Sequence, residues 1–433
     1  MVGALGGKVN PEILEQMLKI DLGFKTMDDF DFEGKVVLLR TDMNLPLDPK
    51  TNLPSDLTRM KVLAQTTLTE LLVRGARVAI LTHQGRPGDA DFTTTDLHAK
   101  ILSKMLRTKV IHIPDVYGPK AVEALKKLRE GVYRIIMLEN VRTDPEEMLK
   151  KSPDEHAKSK QIQVLSTLTD IYVNDAFAAA HRANASLTGY PLVMPSCAGR
   201  VMEWEVRALT WLLQHSERPR LYILGGAKLD DAVAICEHLG ETNKADWIAA
   251  TGLIGNLYLK VAGYKLGEIN EKFLDRKGGI FLYENAKKVY EKYKEKIILP
   301  IDIAVETPKG ERAEIPLSGL PLEMPIKDIG EKTCELIESY IREARTIVIS
   351  GPPGVYEEKE FSYGTKRILK AIAYSKAFSV AGGGHTVAAI NTFGFTDYIS
   401  HISTGGGALI EMLMEKELPA IQALRIASKI KIS

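Results

Sequence analysis

Residues 77–88 read RVAILTHQGRPG. The run from Val78 to Leu81 is apolar without interruption, so it suits a strand buried on both faces and not one with a wet side. It stops in Thr82, His83 and Gln84, then turns at Gly85-Arg86-Pro87-Gly88, and a helix-period segment follows. The same design recurs at KVVLLRTD (35–42), KVIHI (109–113), YRIIMLEN (133–140) and DIYVNDAF (170–177). A second set is RLYILGGA (220–227), WIAATGLIG (247–255), KIILP (296–300), RTIVISGP (345–352) and AFSVAGGG (377–384). Apolar runs alternating with helices predict parallel sheet with right-handed crossovers. The predicted fold is α/β: two doubly wound, Rossmann-like parallel-sheet domains joined by a helical hinge.

That hinge is read from MEWEVRALTWLLQHSERP (202–219), whose Trp204, Val206, Leu209, Trp211 and Leu213 suit one long amphipathic helix. The expected division is a first domain over 1–200, with 1–23 as an extra segment, a connecting helix over 201–217, and a second domain over 218–405. The segment 406–433 is helical and suits either domain. NPEILEQMLKI (10–20) reads as a further helix, with extra packing surface as its plain role.

The chain has 433 residues, of which 57 are basic and 56 acidic, a net charge of +1. Such a balance gives no bulk attraction to nucleic acid or to an anionic membrane, so anion binding must come from local clusters. The longest uncharged run, 377–396, holds four glycines with Asn, His, Ser and Thr, and does not suit a membrane span. The three cysteines, Cys197, Cys236 and Cys334, lack metal-ligand spacing and read as reduced thiols. The N-terminus lacks a signal-peptide pattern, and the expected location is the cytoplasm.

Ligands of parallel α/β sheets lie beyond the carboxyl ends of the strands. In the first half those ends carry Arg40, Asp42 and Asn44, then His83 and Arg86, then Asn140 and Arg142, then Asp175, His181 and Arg182, with Arg59 after the first strand. Five arginines and two histidines on one edge predict a cradle for a small, highly anionic substrate, because the guanidinium fork matches phosphate and carboxylate. Asp42 and Asn44 are expected to hold a hydroxyl there. A single such arginine is more often a surface charge; four strand ends in a row are not. The second half ends its strands in glycine: LGGAK (224–228), TGLIGN (251–256), SGPPG (350–354), AGGGHT (381–386) and STGGGA (403–408). Glycines there let backbone N–H groups approach phosphates, which predicts a nucleotide. No GxxxxGK[ST] and no GxGxxG opening a domain is present. An anion cradle in one half and a nucleotide edge in the other predict phosphoryl transfer between two substrates.

The stretches LRTDMNLPLD, LTHQGRPGDADFTTTDLHA, MLENVR, VNDAFAAAHRANASLTGYP, MPSCAGR, LGGAKLDD, DIGEKT, SGPPGVYEEKEF, AFSVAGGGHTVAAI and SHISTGGGALIEML follow one another from about residue 24. They resemble phosphoglycerate kinase, its archaeal branch in particular. The resemblance implies transfer of a phosphoryl group between ATP and the carboxylate of 3-phosphoglycerate, in the glycolytic direction from 1,3-bisphosphoglycerate to ADP, with Mg²⁺ accompanying the nucleotide. By matching motif it makes Asp42 and Asn44 ligands of the substrate hydroxyl, Arg59 the catalytic arginine, and His83, Arg86, Arg142 and Arg182 the rest of the basic patch. It assigns Lys228 to charge neutralisation and Glu357 to the ribose. Gly225, Gly226, Gly383, Gly384, His385, Thr386, Gly405 and Gly406 fall to the nucleotide phosphates. It assigns no residue as a metal ligand, and has the 406–433 tail pack on the first domain. Ala232, Ser350, the TGLIGN turn and His385 depart from the commoner family pattern, all on the nucleotide side. The alternative reading is a non-catalytic or altered-substrate paralogue that binds a small phospho-acid.

Overall fold

The computed structural model describes residues 7–430. It divides into two compact units. One comprises Lys19–Leu209 with the described part of Glu415–Ser433; the other comprises Thr210–Met414 with the described part of Val2–Leu18.

In the first unit six strands form one parallel sheet: β1 (Val36–Thr41), β2 (Arg77–Leu81), β3 (Ile111–Ile113), β4 (Ile135–Leu138), β5 (Ile171–Asp175) and β6 (Ser196–Ala198). Their order is β3-β4-β2-β1-β5-β6, and in register Leu39 lies between Ile80 and Val173. Alternate residues of β1 serve opposite cores. Val37 and Leu39 pack with Val78, Ile80 and Met137; Val36 and Leu38 pack with Ala79, Leu81 and Tyr172. That double burial is why these strands read as unbroken apolar runs. The chain extends the sheet from β1 to one side through β2, then returns to place β5 on the other side. The carboxyl edge at β1 is therefore a switch point, where such sheets bind ligands.

The second unit repeats the plan with β7 (Arg220–Leu224), β8 (Trp247–Ala250), β9 (Ile297–Ile298), β13 (Thr346–Ser350), β14 (Phe378–Gly382) and β15 (His401–Ile402), ordered β15-β14-β13-β7-β8-β9. Between them sits a three-stranded antiparallel sheet, β11-β10-β12, from β10 (Asp302–Glu306), β11 (Arg312–Pro316) and β12 (Ile326–Ile329). The apolar-run reading passed over this sheet, β6 and β15. β11 is half-exposed and its residues alternate in burial, so no unbroken run marks it.

Three boundaries differ from the expected ones. The connecting helix is Arg200–Gln214, and the division between units falls inside it, after Leu209. The helix Pro11–Leu18 belongs with the second unit, not the first. Lys8 Nζ donates to the Ala373 carbonyl (3.2 Å) and Trp211 Nε1 donates to Gln16 Oε1 (2.9 Å), while Met17 is fully buried. The tail also divides: Gly407–Leu413 lies in the second unit, whereas Pro419–Lys429 lies in the first, where Ala420 N–H donates to the Ala180 carbonyl (3.1 Å). Among the described residues no helix is long and apolar enough to cross a membrane.

Candidate active site

The carboxyl edge of the first sheet separates the expected residues into scaffold and donors. Arg40 is scaffold. It is fully buried, its Nε donates to Ser186 Oγ (2.7 Å), and Glu147, itself buried, stands 3.9 Å from Nη2. Asn140 is buried too. Its side-chain oxygen accepts from the Arg142 N–H (3.1 Å), and its Nδ2 donates to the carbonyls of Gln84 (2.7 Å) and Thr93 (2.8 Å). Asp175 faces the connecting helix, where Oδ1 accepts from Met202 N–H (3.0 Å); burial pushes its carboxyl up to about 6. These three strand-end residues leave the expected cradle because their side chains turn into the core.

His83 was expected as a cation and is neutral. It is buried, and Nδ1 lies 3.3 Å from Arg40 Nη2. A guanidinium only donates, so Nδ1 accepts and the ring proton sits on Nε2. Burial, with Arg40, Arg142 and Arg182 nearby, holds its pKa well below the usual histidine value. His83 therefore contributes a directed N–H and no charge.

Asp42 and Asn44 follow β1 on a tightly held loop. Asp42 Oδ1 accepts from Asn44 N–H (3.0 Å) and from Arg59 Nη1 (3.1 Å), and the same Nη1 donates to the Asn44 carbonyl (3.2 Å). Burial would raise the Asp42 carboxyl; the Arg59 charge and the Asn44 N–H outweigh it and leave it well below the usual carboxylate range. Asn44 Oδ1 accepts from Gly85 N–H (2.9 Å), which leaves its Nδ2 to point at a ligand hydroxyl. Gly85 has φ +64°, and a Cβ there would lie 2.5 Å from Phe92 N, so only glycine fits this turn.

Arg142 Nη1 donates to the Gly85 carbonyl, and Nε and Nη2 are buried with no partner. A buried guanidinium with two orphaned donors is costly unless an anion arrives. Burial, with Arg182 and Arg40, lowers it to about 10. Arg182, half-buried, is lowered by burial and by Arg86. Among the described residues no carboxylate pairs with Arg86, Arg142 or Arg182 within 4 Å; Arg182 repels both Arg142 and Arg86, and only the more distant charges of Asp42 and, for Arg142, Glu147 offset this. The sequence named them; the unpaired donors are visible only in the fold.

On the second unit the turns after β7, β8 and β13 pack backbone on backbone. A Cβ on Gly225 would lie 2.7 Å from the Pro352 carbonyl oxygen, and one on Gly252 2.8 Å from Gly226 N. Gly225 N–H donates to the Ser350 carbonyl (2.9 Å) and Gly226 N–H to that of Pro352 (2.9 Å), so these glycines clear space but offer no donors to phosphate. Gly405 N–H is likewise used, by Ser403 Oγ (3.1 Å). Thr386 is buried and its hydroxyl accepts from Gly351 N–H (2.8 Å), tying two turns together. N–H groups placed for an anion include those opening the helix Gly384–Phe393, preceded by Gly383 at φ +87°, where the helix dipole favours negative charge.

Two adjoining cavities line this edge. A trough of about 110 Å³ runs past Gly226, Lys228, Asp231, Ala232, Gly384 and Gly406. A largely apolar slot of about 230 Å³ adjoins it, lined by Leu253, Phe273, Ile303, Ile326, Pro353 and Val355 among others. The two share Gly226, Ala227, Pro352 and His385. Glu357 stands at the slot, its Oε1 3.2 Å from His385 Nδ1, both side chains exposed. The slot was missed in the sequence because its walls come from seven separate segments with no shared motif.

The phosphoglycerate kinase family profile matches residues 27–416. The chain is 46% identical over 406 residues to a phosphoglycerate kinase of Methanothermus fervidus, covering 94% of this chain and 98% of that one. It is 45% identical to that of Methanothermobacter thermautotrophicus, with the same coverage. The crystal structure of phosphoglycerate kinase from Pyrococcus horikoshii superposes with a TM-score of 0.88 at 39% identity, covering 93% of this chain and 99% of that one. Two six-stranded parallel sheets and matches that run nearly end to end lead to one assignment: the chain belongs to the phosphoglycerate kinase family and is a phosphotransferase.

Proposed function

We propose that this chain transfers a phosphoryl group between ATP or ADP and the carboxylate of 3-phosphoglycerate, taking 1,3-bisphosphoglycerate and ADP to 3-phosphoglycerate and ATP in glycolysis, in the cytoplasm. The observation that carries the acid side is Arg142: two buried, unpartnered guanidinium donors in a cluster with Arg182 and Arg86, with no ion-paired carboxylate to balance them. The phosphate of the acid supplies that balance. The hydroxyl falls to Asp42 and the Asn44 amide, and the reacting carboxylate to Arg59 and the His83 N–H. Calorimetry with 3-phosphoglycerate tests this: one site per chain, weakened steeply by salt, is expected.

A carboxylate is already ionised at neutral pH, so no general base is needed. What remains is to bring two polyanions together and neutralise the transferring oxygens. Lys228 and the N–H groups opening Gly384–Phe393 do this on the nucleotide side, with the base in the apolar slot. Asp231, the carboxylate lining the trough, is the hard oxygen donor suited to Mg²⁺ carried in by the nucleotide, and that ion would add charge neutralisation.

Glu357→Ala is expected to weaken nucleotide binding about tenfold and leave binding of the acid unchanged, since Glu357 stands at the slot and the acid ligands lie on the other unit. Calorimetry with each ligand separately checks it, and equal losses for both would remove Glu357 from the ribose. Transfer also requires near-attack contact between ligands held by different units. Small-angle scattering should show a smaller radius of gyration with 3-phosphoglycerate plus Mg-nucleotide than with either alone; an identical radius under all conditions contradicts a hinge.

A further inference from the structure

The loop that carries Asp42 and Asn44 is held from below by groups that no part of the transfer uses. Gln84 is fully buried at the end of β2. Its side-chain amide pairs with Leu45 in both directions: Oε1 accepts from Leu45 N–H (2.8 Å) and Nε2 donates to the Leu45 carbonyl (3.0 Å). Nε2 also reaches the Asp91 carbonyl (3.3 Å). His98, on the helix Asp96–Leu106, is buried beneath. Its Nε2 lies 3.0 Å from the Met43 carbonyl and 3.1 Å from Gln84 Oε1. Both partners are acceptors, so Nε2 carries a proton, and burial, which lowers the ring's pKa to about 4, keeps it neutral. Nδ1 is then a buried lone pair without a partner. Thr82, two residues before Gln84, closes the other end, accepting from Met43 N–H (3.0 Å) and donating to the Thr41 carbonyl (3.1 Å).

Thus Met43 and Leu45, the residues flanking Asn44, have their backbone groups fixed by side chains from β2 and the next helix. Asp42 and Asn44 alternate with them and are not gripped by Thr82, Gln84 or His98. We propose that Gln84 and His98 act as a positioning pair: they set the Asp42–Asn44 loop before the acid arrives, so that its hydroxyl meets ligands already in place. The proposal rests on the acid-binding reading of that loop. Neither residue touches the acid. A displacement of about 1 Å at such a loop is enough to cost up to 10²-fold in a positioned reaction.

The test uses the full chain. Gln84→Met keeps size but removes all four hydrogen bonds of the amide, to Leu45 (two), Asp91 and His98. It is expected to raise the Kd for 3-phosphoglycerate about tenfold or more, with the Kd for Mg-nucleotide within about twofold. His98→Met should weaken acid binding, whereas His98→Gln, which keeps an N–H donor, should recover most of it. In an Asn44→Ala background, Gln84→Met should cost less than it does in the parent, because one of the two groups it positions is gone. A folded Gln84→Met whose acid affinity matches the parent's, or His98→Gln and His98→Met with equal affinities, overturns the proposal. Should these variants not fold, hydrogen exchange in the parent decides: Met43 and Leu45 amides protected without ligand support it, and exchange as fast as in open loops contradicts it. A parent that does not bind 3-phosphoglycerate at all would instead defeat the acid-binding reading itself.

Discussion

Arg59→Lys folds, binds nucleotide as the parent does, and loses about 10²-fold or more in kcat. Arg59 opens the helix Thr58–Leu63 with its side chain about one-third exposed (31%). A surface pair with Asp56 would be its plain role. In the structure Asp56 Oδ1 accepts from the N–H (3.0 Å) and hydroxyl (2.6 Å) of Thr58, and the ion pair of Arg59 is with Asp42. Arg59 instead bonds Asp42 and the Asn44 carbonyl, both through Nη1. No bond from Nε or Nη2 to a described residue competes with a ligand. The fork can then span the substrate carboxylate and the transferring phosphoryl as charge moves between them. Lysine can replace the bond to Asp42 and keeps the charge, but it has no second planar donor. Steady-state kinetics at saturating levels of both substrates measure the loss. A kcat within a few-fold of the parent's would remove Arg59 from the transfer and shift that part to Lys228 and the helix opening at Gly384.

Arg142→Met abolishes measurable acid binding at concentrations about 10²-fold above the parent's Kd, while the ligand-free protein keeps a similar melting temperature. Charge-assisted hydrogen bonds contribute about 1.5–3 kcal/mol each, and two orphaned donors await the acid here. The same donors are a cost in the empty protein, where Arg142 is 4% exposed and faces Arg182 with Asp42 and Glu147 acting only from beyond ion-pair distance. Removing them relieves that cost, and this offsets the lost bond to the Gly85 carbonyl. Thermal unfolding with and without 3-phosphoglycerate reads both parts: the parent gains stability with the acid and the variant does not. A variant still stabilised by the acid as the parent is would show that the phosphate sits elsewhere.

The fold was legible because parallel strands buried on both faces leave a one-dimensional mark, as Val36–Thr41 and Arg77–Leu81 do. Short or half-exposed strands such as Arg312–Pro316 leave none. The strand-end rule located the acid site but could not tell donors from scaffold. Arg40 closes one apolar strand and Arg142 follows another; Arg40 is held by Glu147 and Ser186, whereas Arg142 keeps Nε and Nη2 without a partner, and that difference lies in residues more than a hundred positions away from Arg40. The charge of His83 was misread for the same reason, since its neutrality is imposed by Arg40 against Nδ1. Glycine-rich turns located the nucleotide edge. Their use was only partly legible, because Gly225 and Gly226 spend their N–H groups on neighbouring turns, which composition cannot show. The helix Pro11–Leu18 was readable as a helix; its place with the second unit depends on Gln16 meeting Trp211, about two hundred residues later.

The central claim is turnover on the carboxylate of 3-phosphoglycerate. Purified protein, 3-phosphoglycerate and Mg-ATP, with formation of 1,3-bisphosphoglycerate followed through its NADH-coupled reduction, tests it most directly. The account predicts steady turnover that saturates in both substrates, disappears without 3-phosphoglycerate, and falls with Arg59→Lys. Saturable binding of both ligands with no turnover in either direction would contradict it.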